Sequence, residues 1–331
     1  MDKFKATVKS ILLFVTGIAL FISVIVFSDV GIDEIIRKST SISILPLLGI
    51  IVLTAIVFLI TAEKWKSIIY DQTGARDFGR GFFFYYSALG ITSGFFVSQN
   101  LSSLGVRSLS LKINKNIPLS AGAYSVLLDQ LMDLFILFLF IIPSTMFLTG
   151  KFEMKELAMA MALLSMISFA AFSVKPLFIY NIILFSYEKL IEIACTMTSR
   201  KNRPSFLTMD TESKTISAST GKKLYYLSLL KFLVLVTRSY FVALAFNIDI
   251  SLLLLLICAP TIFIAGLIGF TPGSLGILEW GWFGILVFSG VSNQDAASFI
   301  IFQRFAFLLS SILILSLSYF YYRKYDNAEA V

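Results

Sequence analysis

Six ionisable side chains lie inside or beside strongly apolar segments of this 331-residue chain. If such a segment crosses a membrane, one charge near the bilayer centre costs at least about 2.5–3.5 kcal/mol on insertion scales. A charge at that depth is therefore expected either to bind a polar ligand or to pair with a charge of opposite sign. The six residues are Asp129, Asp133, Lys231, Arg238, Glu279 and Arg304.

Two of these residues form a D-x-x-x-D pattern that has two interpretations. Asp129 and Asp133 are four residues apart, so a helix places both carboxylates on one face. One interpretation is that they hold Mg²⁺ on a diphosphate, although membrane prenyltransferases that do this usually carry a second carboxylate motif. The other is that they pair with Lys231 or Arg238 and only lock helices together, which we favour for those two cations.

The residue types that are missing exclude several classes of enzyme. The chain has no histidine, which rules out imidazole general bases, Ser-His-Asp triads and histidine-ligated zinc or haem. Its two cysteines, Cys195 and Cys258, lie far apart and form neither a C-x-x-C motif nor a disulfide framework. We therefore expect no metal and no cofactor, and an activity closer to that of a transporter than to that of an enzyme.

The elements that must position these residues are apolar helices. Of all residues, 57% are hydrophobic and 14% are charged, and the mean hydropathy is +0.87. A typical soluble domain is about 45–50% apolar and about 25% charged. The whole chain, 1–331, is therefore predicted to be one polytopic integral membrane domain. Its net charge of +7 lies in short loops between apolar runs, which indicates membrane orientation and no nucleic-acid partner.

The apolar runs divide into six that are long enough to cross a bilayer and two that are interrupted. Segment 82–98 decides the topology, because as a helix it spans only about 25 Å against a hydrocarbon core of about 30 Å. If it returns to the same face, 20 Lys and Arg are cytoplasmic and four lie outside, whereas a full crossing gives 9 and 15. The positive-inside rule favours the return. The predicted full spans are 11–27, 44–62, 117–149, 157–174, 224–246 and 296–322.

The predicted fold class is an all-α integral membrane protein with six full transmembrane helices, two re-entrant hairpins and both termini cytoplasmic. The first half, 1–174, contains a hairpin at about 82–116 that enters from the inside. The second half, 224–331, contains a hairpin at about 252–290 that enters from the outside. Between them, 175–223 is predicted to hold a cytoplasmic amphipathic helix and a flexible loop. This mirrored order is the inverted repeat of many transporters.

A short sequence echo marks the turn predicted for each hairpin. Ser-Leu-Gly occurs at 103–105, shortly before Arg107, and again at 274–276, shortly before Glu279. Glycine suits such a turn, because broken backbone at membrane depth must be buried in protein or line a cavity. A helix that restarts there presents free N–H groups and a positive dipole end, which suit a phosphate or a carboxylate. The predicted turn residues are Gly105, Pro272, Gly273 and Gly276.

These motifs resemble the flippase-like transmembrane family whose best-known member is the membrane domain of lysylphosphatidylglycerol synthase. The family pattern P-G-G-x-G-x-x-E is similar to residues 272–279, where Ser274 replaces one glycine. The family's E-R-x-x-D motif is similar to residues 129–133, where Gln130 replaces the arginine. The asparagine, glycine-rich turn and arginine of the family's first half are similar to Asn100, Gly105 and Arg107.

The resemblance implies that the protein moves a lipid between the two membrane leaflets. The expected substrate is an anionic, aminoacylated or polyprenyl-linked lipid, that is, a membrane phospholipid or a lipid-linked glycan. On this hypothesis Arg107 and Arg304 attract the lipid phosphate, while Glu279 and the two aspartates balance an amino-bearing headgroup. The candidate substrate-binding residues are Arg107, Asp129, Asp133, Glu279, Gln303 and Arg304.

Two other functions stay open at this point. One is a Mg²⁺-dependent membrane enzyme that acts on a polyprenyl phosphate through the D-x-x-x-D pair. The other is an accessory protein that holds lipid for a separate membrane synthase or glycosyltransferase. We expect the protein in the cytoplasmic membrane of a bacterium or an archaeon, and self-association into a homo-oligomer is left open.

Overall fold

A computed structural model describes most of the chain as helix. Within the described ranges all regular secondary structure is helical, which confirms the predicted all-α fold class. Those ranges are 2–28, 42–79, 81–176, 216–268 and 271–326, with isolated positions in 31–40 and 181–189. The helices are α1 (Asp2–Phe27), α2 (Ile44–Thr73), α3 (Phe82–Ser93), α4 (Gln99–Lys115), α5 (Leu119–Leu148), α6 (Met154–Val174), α7 (Ala218–Ala245), α8 (Leu252–Ile268), α9 (Ile277–Phe288) and α10 (Asn293–Asp326).

Within the described ranges, five helices are long and apolar enough to cross a membrane: α2, α5, α6, α7 and α10. Each has an apolar segment of 20 residues or more, and so reaches at least about 30 Å at 1.5 Å per residue. They correspond to five of the six predicted full spans, and the remaining one falls in α1, of which Phe14–Phe27 is a shorter apolar helix. These lengths meet the requirement of a multi-pass membrane protein.

Two pairs of shorter helices form the hairpins. In the first hairpin, α3 has 12 residues and α4 has 17, and residues 94–98 form the turn. In the second hairpin the lengths are reversed, because α8 has 17 residues and α9 has 12, with the 3₁₀ turn Pro272–Ser274 between them. A helix of 12 residues is only about 18 Å long, against a hydrocarbon core of about 30 Å. Their re-entry from opposite faces stays a prediction that these lengths support.

The largest apolar core joins α5, α7, α8, α9 and α10. On α8, the consecutive residues Ile257, Cys258 and Ala259 are fully buried. Phe246 at the end of α7 stacks on Phe302 of α10 with their ring centroids 3.7 Å apart. Lipid tails are as apolar as these side chains, so close packing between helices, more than withdrawal from water, holds this core together.

A smaller aromatic core fixes the first hairpin against α2. Trp65 is fully buried, with ring centroids 6.0 Å from Phe82 and 5.0 Å from Phe83. Its Nε1–H donates a hydrogen bond of 3.1 Å to Ser125 Oγ on α5. The guanidinium carbon of Arg107 lies 5.4 Å from the centroid of the Trp65 ring. Trp65 of α2 thus contacts α3, α4 and α5, and it helps to position Arg107.

The predicted end of the second apolar run, near residue 62, is wrong. Helix α2 continues to Thr73, because residues with helical spacing, including Thr61, Lys64 and Ile68, stay buried beyond that point. Lys64 was counted among the cytoplasmic basic residues, yet its side chain is fully buried. The basic excess of the cytoplasmic face does not depend on this one residue.

The boundary predicted between the two halves is also partly wrong. Helix α7 begins at Ala218, inside the segment predicted to be a flexible loop. Ser217 caps it, because its hydroxyl accepts a hydrogen bond of 3.2 Å from the backbone N–H of Thr220. The amphipathic helix predicted at 186–200 lies outside the described residues, apart from one isolated position.

The turn of the first hairpin is not at Gly105, as predicted, but at residues 94–98. Gly105 lies inside α4, and a Cβ placed on it would have nothing within 4 Å. A single glycine is tolerated in a helical segment, so nothing in 102–107 breaks the helix. Gly94 is the constrained position, since a Cβ there would lie 2.9 Å from the Cα of Gln99. The Ser-Leu-Gly echo is therefore helical in the first half and part of the turn in the second.

Candidate functional site

A cavity of about 280 Å³ lies between the two hairpin turns and helices α5, α7 and α10. The first turn contributes Gly94 and Phe95 to its wall, and the second contributes Gly273 and Ser274. Of the predicted turn residues, Gly273 lines the cavity, whereas Gly105, Pro272 and Gly276 do not. All six candidate substrate-binding residues line it: Arg107, Asp129, Asp133, Glu279, Gln303 and Arg304.

Two carboxylates and three cations form one connected cluster at this wall, which we call the aspartate network; all of its members except Lys64 line the cavity. Arg107 Nη1 donates to Asp129 Oδ2 at 2.8 Å, and Lys64 Nζ lies 2.6 Å from Asp129 Oδ1. The same Lys64 Nζ pairs with Asp133 Oδ1, and Lys231 Nζ lies 2.6 Å from Asp133 Oδ2. The five side chains come from α2, α4, α5 and α7, so the network ties four helices together with a net charge of +1.

Helix geometry explains why both aspartates pair with Lys64. Asp129 and Asp133 lie one turn apart on the same face of α5, so one ammonium group can reach both. Lys64 also donates to the backbone carbonyl of Asp129 at 3.0 Å. Sequence reasoning missed Lys64, because a lysine next to other charges was taken as the end of a span. The signal that could have revealed it is its spacing from Thr61 and Ile68, which continues the buried face of the helix.

The second charged group lies at the turn of the second hairpin. The backbone N–H of Gly276 donates to Glu279 Oε2 at 2.6 Å, so this carboxylate caps the start of α9. Glu279 Oε1 lies 3.4 Å from Arg304 Nη1, which also donates to the carbonyl oxygen of Gly273 at 3.0 Å. The positive end of α9 is thus already satisfied by its own carboxylate. The backbone N–H groups at this turn were expected to be free for a ligand, but Glu279 already accepts from one of them.

The two hairpin turns touch each other at the cavity. The backbone N–H of Gly273 donates to the carbonyl oxygen of Val97 at 2.9 Å. Gly273 has a φ of +58°, and a Cβ there would lie 2.6 Å from Arg304 Nη2 and 2.8 Å from the carbonyl oxygen of Phe95. Both the left-handed backbone and the close approach require glycine. This contact joins the two turns at the wall of the cavity.

Two further polar side chains of the cavity, Arg238 and Gln303, lie on facing sides of α7 and α10. Gln303 Nε2 donates to Ser239 Oγ at 2.9 Å. Beside it, the guanidinium carbon of Arg238 lies 3.6 Å from the centroid of the Phe307 ring. Lys231 pairs with Asp133, as one interpretation of the sequence predicted. The predicted pairing of Arg238 with an aspartate is wrong. Arg238 has no carboxylate partner in the part of the chain that the structure describes.

The geometry gives the D-x-x-x-D pair little capacity to bind Mg²⁺. Both carboxylates already hold ammonium or guanidinium groups, so a metal ion would have to displace Lys64, Arg107 or Lys231. Among the described residues, no three Asp, Glu, Cys or His side chains are grouped so as to hold a metal ion. The pair is better described as the anion part of an ion network than as a metal site.

The charges in and next to the cavity do not cancel. A surplus of two positive charges lies among helices at membrane depth, where each uncompensated charge costs at least about 2.5–3.5 kcal/mol. The described residues contribute five cations, Lys64, Arg107, Lys231, Arg238 and Arg304, and three carboxylates, Asp129, Asp133 and Glu279.

Comparison with known proteins agrees with this architecture. The family described as Lysylphosphatidylglycerol synthase TM region matches residues 11–314. The match covers both hairpins and every charged residue of the cavity. No curated protein matched the chain. Because the family match extends over most of its length, the chain is a multi-pass membrane protein that belongs to the lysylphosphatidylglycerol synthase transmembrane family.

Proposed function

We propose that this protein moves a lipid with an anionic headgroup between the two leaflets of the membrane. The observation that carries the proposal is the surplus of two positive charges in and next to a cavity that both hairpins line. An anionic headgroup would offset that surplus, whereas a neutral or cationic ligand would not. Phospholipids and polyprenyl phosphates both offer such a headgroup at the bilayer surface.

The form of the cavity favours transport over simple lipid binding. Broken backbone at membrane depth is tolerated where it lines a cavity, and in many transporters such breaks meet at the substrate site. Here the two turns meet through the hydrogen bond between Gly273 and Val97, and Arg304 donates a hydrogen bond to the carbonyl oxygen of Gly273 in the second turn. A few polar contacts can be broken and remade more readily than a packed apolar interface. We infer that a headgroup passes when these turns separate.

The partners of each charge indicate which part of a lipid the cavity recognises. Asp129 and Asp133 pair with three cations, and Glu279 pairs with Arg304 and accepts from a backbone amide. An amino group would therefore have to compete with a cation for each of these carboxylates. A phosphate is the better supported ligand, and an aminoacyl group on the same lipid would have to extend elsewhere.

The orientation that we propose follows from the basic loops. Both termini lie in the cytoplasm, and the membrane is the cytoplasmic membrane of a bacterium or an archaeon. The accessory lipid-binding alternative uses the same cavity, and transport by the purified protein alone separates the two. A membrane synthase that makes the lipid is the partner that this function would require, and it would supply substrate at one leaflet.

The experiment is leaflet exchange in vesicles that contain the purified full chain. Tail-labelled phosphatidylglycerol is followed in wild type and in three variants, Arg107→Ala, Glu279→Ala and Arg304→Ala. Arg323→Ala, an exposed arginine at the end of α10, is the matched control. We expect wild type and the control to exchange the lipid and the three variants to be slower. Equal rates in all variants would overturn the site, and no exchange by wild type of phosphatidylglycerol or a polyprenyl phosphate would overturn the function.

A further inference from the structure

Arg238 is the feature of the cavity that neither the sequence motifs nor the paired charges explain. It lies seven residues before the end of α7 at Ala245, or about 10 Å along the helix, and its side chain is directed into the cavity and not left exposed at that end. Ser228, Lys231, Leu235 and Arg238 line the cavity at helical spacing. Arg238 therefore faces the cavity two helical turns away from Lys231 and the aspartate network.

The carboxylates that line the same cavity as Arg238 are paired with other cations. Asp133 pairs with Lys64 and Lys231, and Glu279 pairs with Arg304 while it caps α9. Among the described cations that line the cavity, Arg107, Lys231 and Arg304 each have a carboxylate partner, and Arg238 has none. Its Nε, like that of Arg107, is buried without a hydrogen-bond partner.

The contact of Arg238 with Phe307 leaves its N–H donors available. Its guanidinium carbon lies 3.6 Å from the centroid of the Phe307 ring, a separation at which the planar group stacks on the ring by its face. The N–H donors lie in the plane of the guanidinium and are not used by that contact. A guanidinium held flat in this way presents a fork that matches two oxygens of a phosphate.

The two arginines that the sequence analysis assigned to the lipid phosphate are less available. Arg107 donates to Asp129, and Arg304 donates to the carbonyl oxygen of Gly273 beside Glu279. Both are needed to hold a helix or a turn in place. They contribute to the positive potential of the cavity, but an anion would have to compete with their present partners.

We propose that Arg238 is the residue that binds the phosphate of the headgroup in this cavity. The ligand class is a phosphate monoester or diester that carries net negative charge. The inference rests on the proposed function for the lipid nature of this ligand, but binding does not require transport. It assigns Arg107 and Arg304 to positioning and Arg238 to direct recognition.

The test is equilibrium binding to the purified full chain in neutral detergent. Short-chain phosphatidylglycerol is titrated while the unfolding temperature is followed by tryptophan fluorescence, since a ligand of the folded state raises that temperature. Phosphatidylcholine with the same tails is the neutral comparison. The variants are Arg238→Gln and Arg238→Lys, with Arg323→Gln as the control at an exposed site.

We expect Arg238→Gln to weaken binding of phosphatidylglycerol about tenfold or more, the effect of losing one charge-assisted contact. Arg238→Lys keeps a charge that phosphate can use and should bind more tightly than Arg238→Gln. Without lipid, Arg238→Gln should unfold at the wild-type temperature or above, because it removes a charge that has no partner. A structural role would give the opposite shift. Unchanged affinity in Arg238→Gln, or equal binding of both lipids by wild type, would overturn the proposal.

A second arm uses inorganic phosphate in place of the lipid. If it displaces phosphatidylglycerol from wild type, the phosphate alone carries recognition, and the role of Arg238 is supported. If it does not displace the lipid and binding still depends on Arg238, the lipid as a whole is the ligand, which also supports that role. Binding that depends on Arg238 in a protein without leaflet exchange would leave this inference standing and remove the proposed function.

Discussion

Replacement of Lys64 by methionine tests the most unexpected part of the aspartate network. Lys64 is fully buried and bridges Asp129 and Asp133. Loss of one partner of a buried ion pair usually costs about 3–5 kcal/mol. In this case Arg107 stays with Asp129 and Lys231 with Asp133, so two cations face two carboxylates. We therefore expect Lys64→Met to lower the free energy of unfolding by about 3 kcal/mol, the lower end of that range.

The matched comparison is with variants that remove a carboxylate, and not a cation, from the aspartate network. Asp129→Asn leaves three cations with one carboxylate, so it should destabilise the protein more than Lys64→Met does. The double variant Lys64→Met/Asp129→Asn restores the net charge of +1 that the wild-type network carries. Its loss of stability should be smaller than the sum of the two single losses, as is usual for residues in one network.

The assay is thermal unfolding of the purified protein in detergent, followed by tryptophan fluorescence. At an unfolding entropy of about 2.1 cal/mol/K per residue over 331 residues, a loss of about 3 kcal/mol lowers the unfolding temperature by about 4 °C. Lys66→Met is the control, because Lys66 is more than one third exposed and a surface change usually has an effect within about 0.5 kcal/mol. If Lys64→Met and Lys66→Met unfold at the same temperature, Lys64 is not part of a buried network and the reasoning fails.

Two further predictions concern the turns and the aromatic core. Gly273→Ala should slow leaflet exchange and lower the unfolding temperature, because its Cβ would collide with Arg304 and the carbonyl of Phe95. Gly105→Ala, inside α4 with open space around it, should instead stabilise the protein by about 0.5–1 kcal/mol; a reversed order would contradict the position of the first turn. Trp65→Phe should cost about 1 kcal/mol through the lost hydrogen bond to Ser125, and unchanged thermal unfolding would argue against that bond.

The sequence was sufficient to predict the fold class and most helices, for a physical reason. Lipid imposes long apolar helices, and loops carry the charges, so the spans are visible in composition alone. The short length of segment 82–98 and the distribution of basic residues likewise predicted the two hairpins, and their re-entry from opposite faces stays a prediction. The exact turn of the first hairpin was not predictable, because Gly94 and Gly105 are equally permissive and only packing against Gln99 distinguishes them.

The pairing of charges within the site was predictable only in part. The side chains that had to be satisfied could be identified, since buried charge at membrane depth is rare and needs a partner or a ligand. Which cation meets which carboxylate depends on how each helix is rotated and shifted along its neighbours. That packing pairs Asp133 with Lys231 and Lys64, and it places the guanidinium group of Arg238 next to the ring of Phe307.

The central claim is that the cavity moves lipids with anionic headgroups, and the exchange rates of two lipids test it most directly. Purified wild-type protein is placed in vesicles with tail-labelled phosphatidylglycerol or phosphatidylcholine, and protein-free vesicles give the background. The surplus of positive charge in the cavity predicts that phosphatidylglycerol exchanges about tenfold faster than phosphatidylcholine, as expected for one charge-assisted contact. Equal rates for the two lipids, or rates no higher than in protein-free vesicles, would contradict the claim.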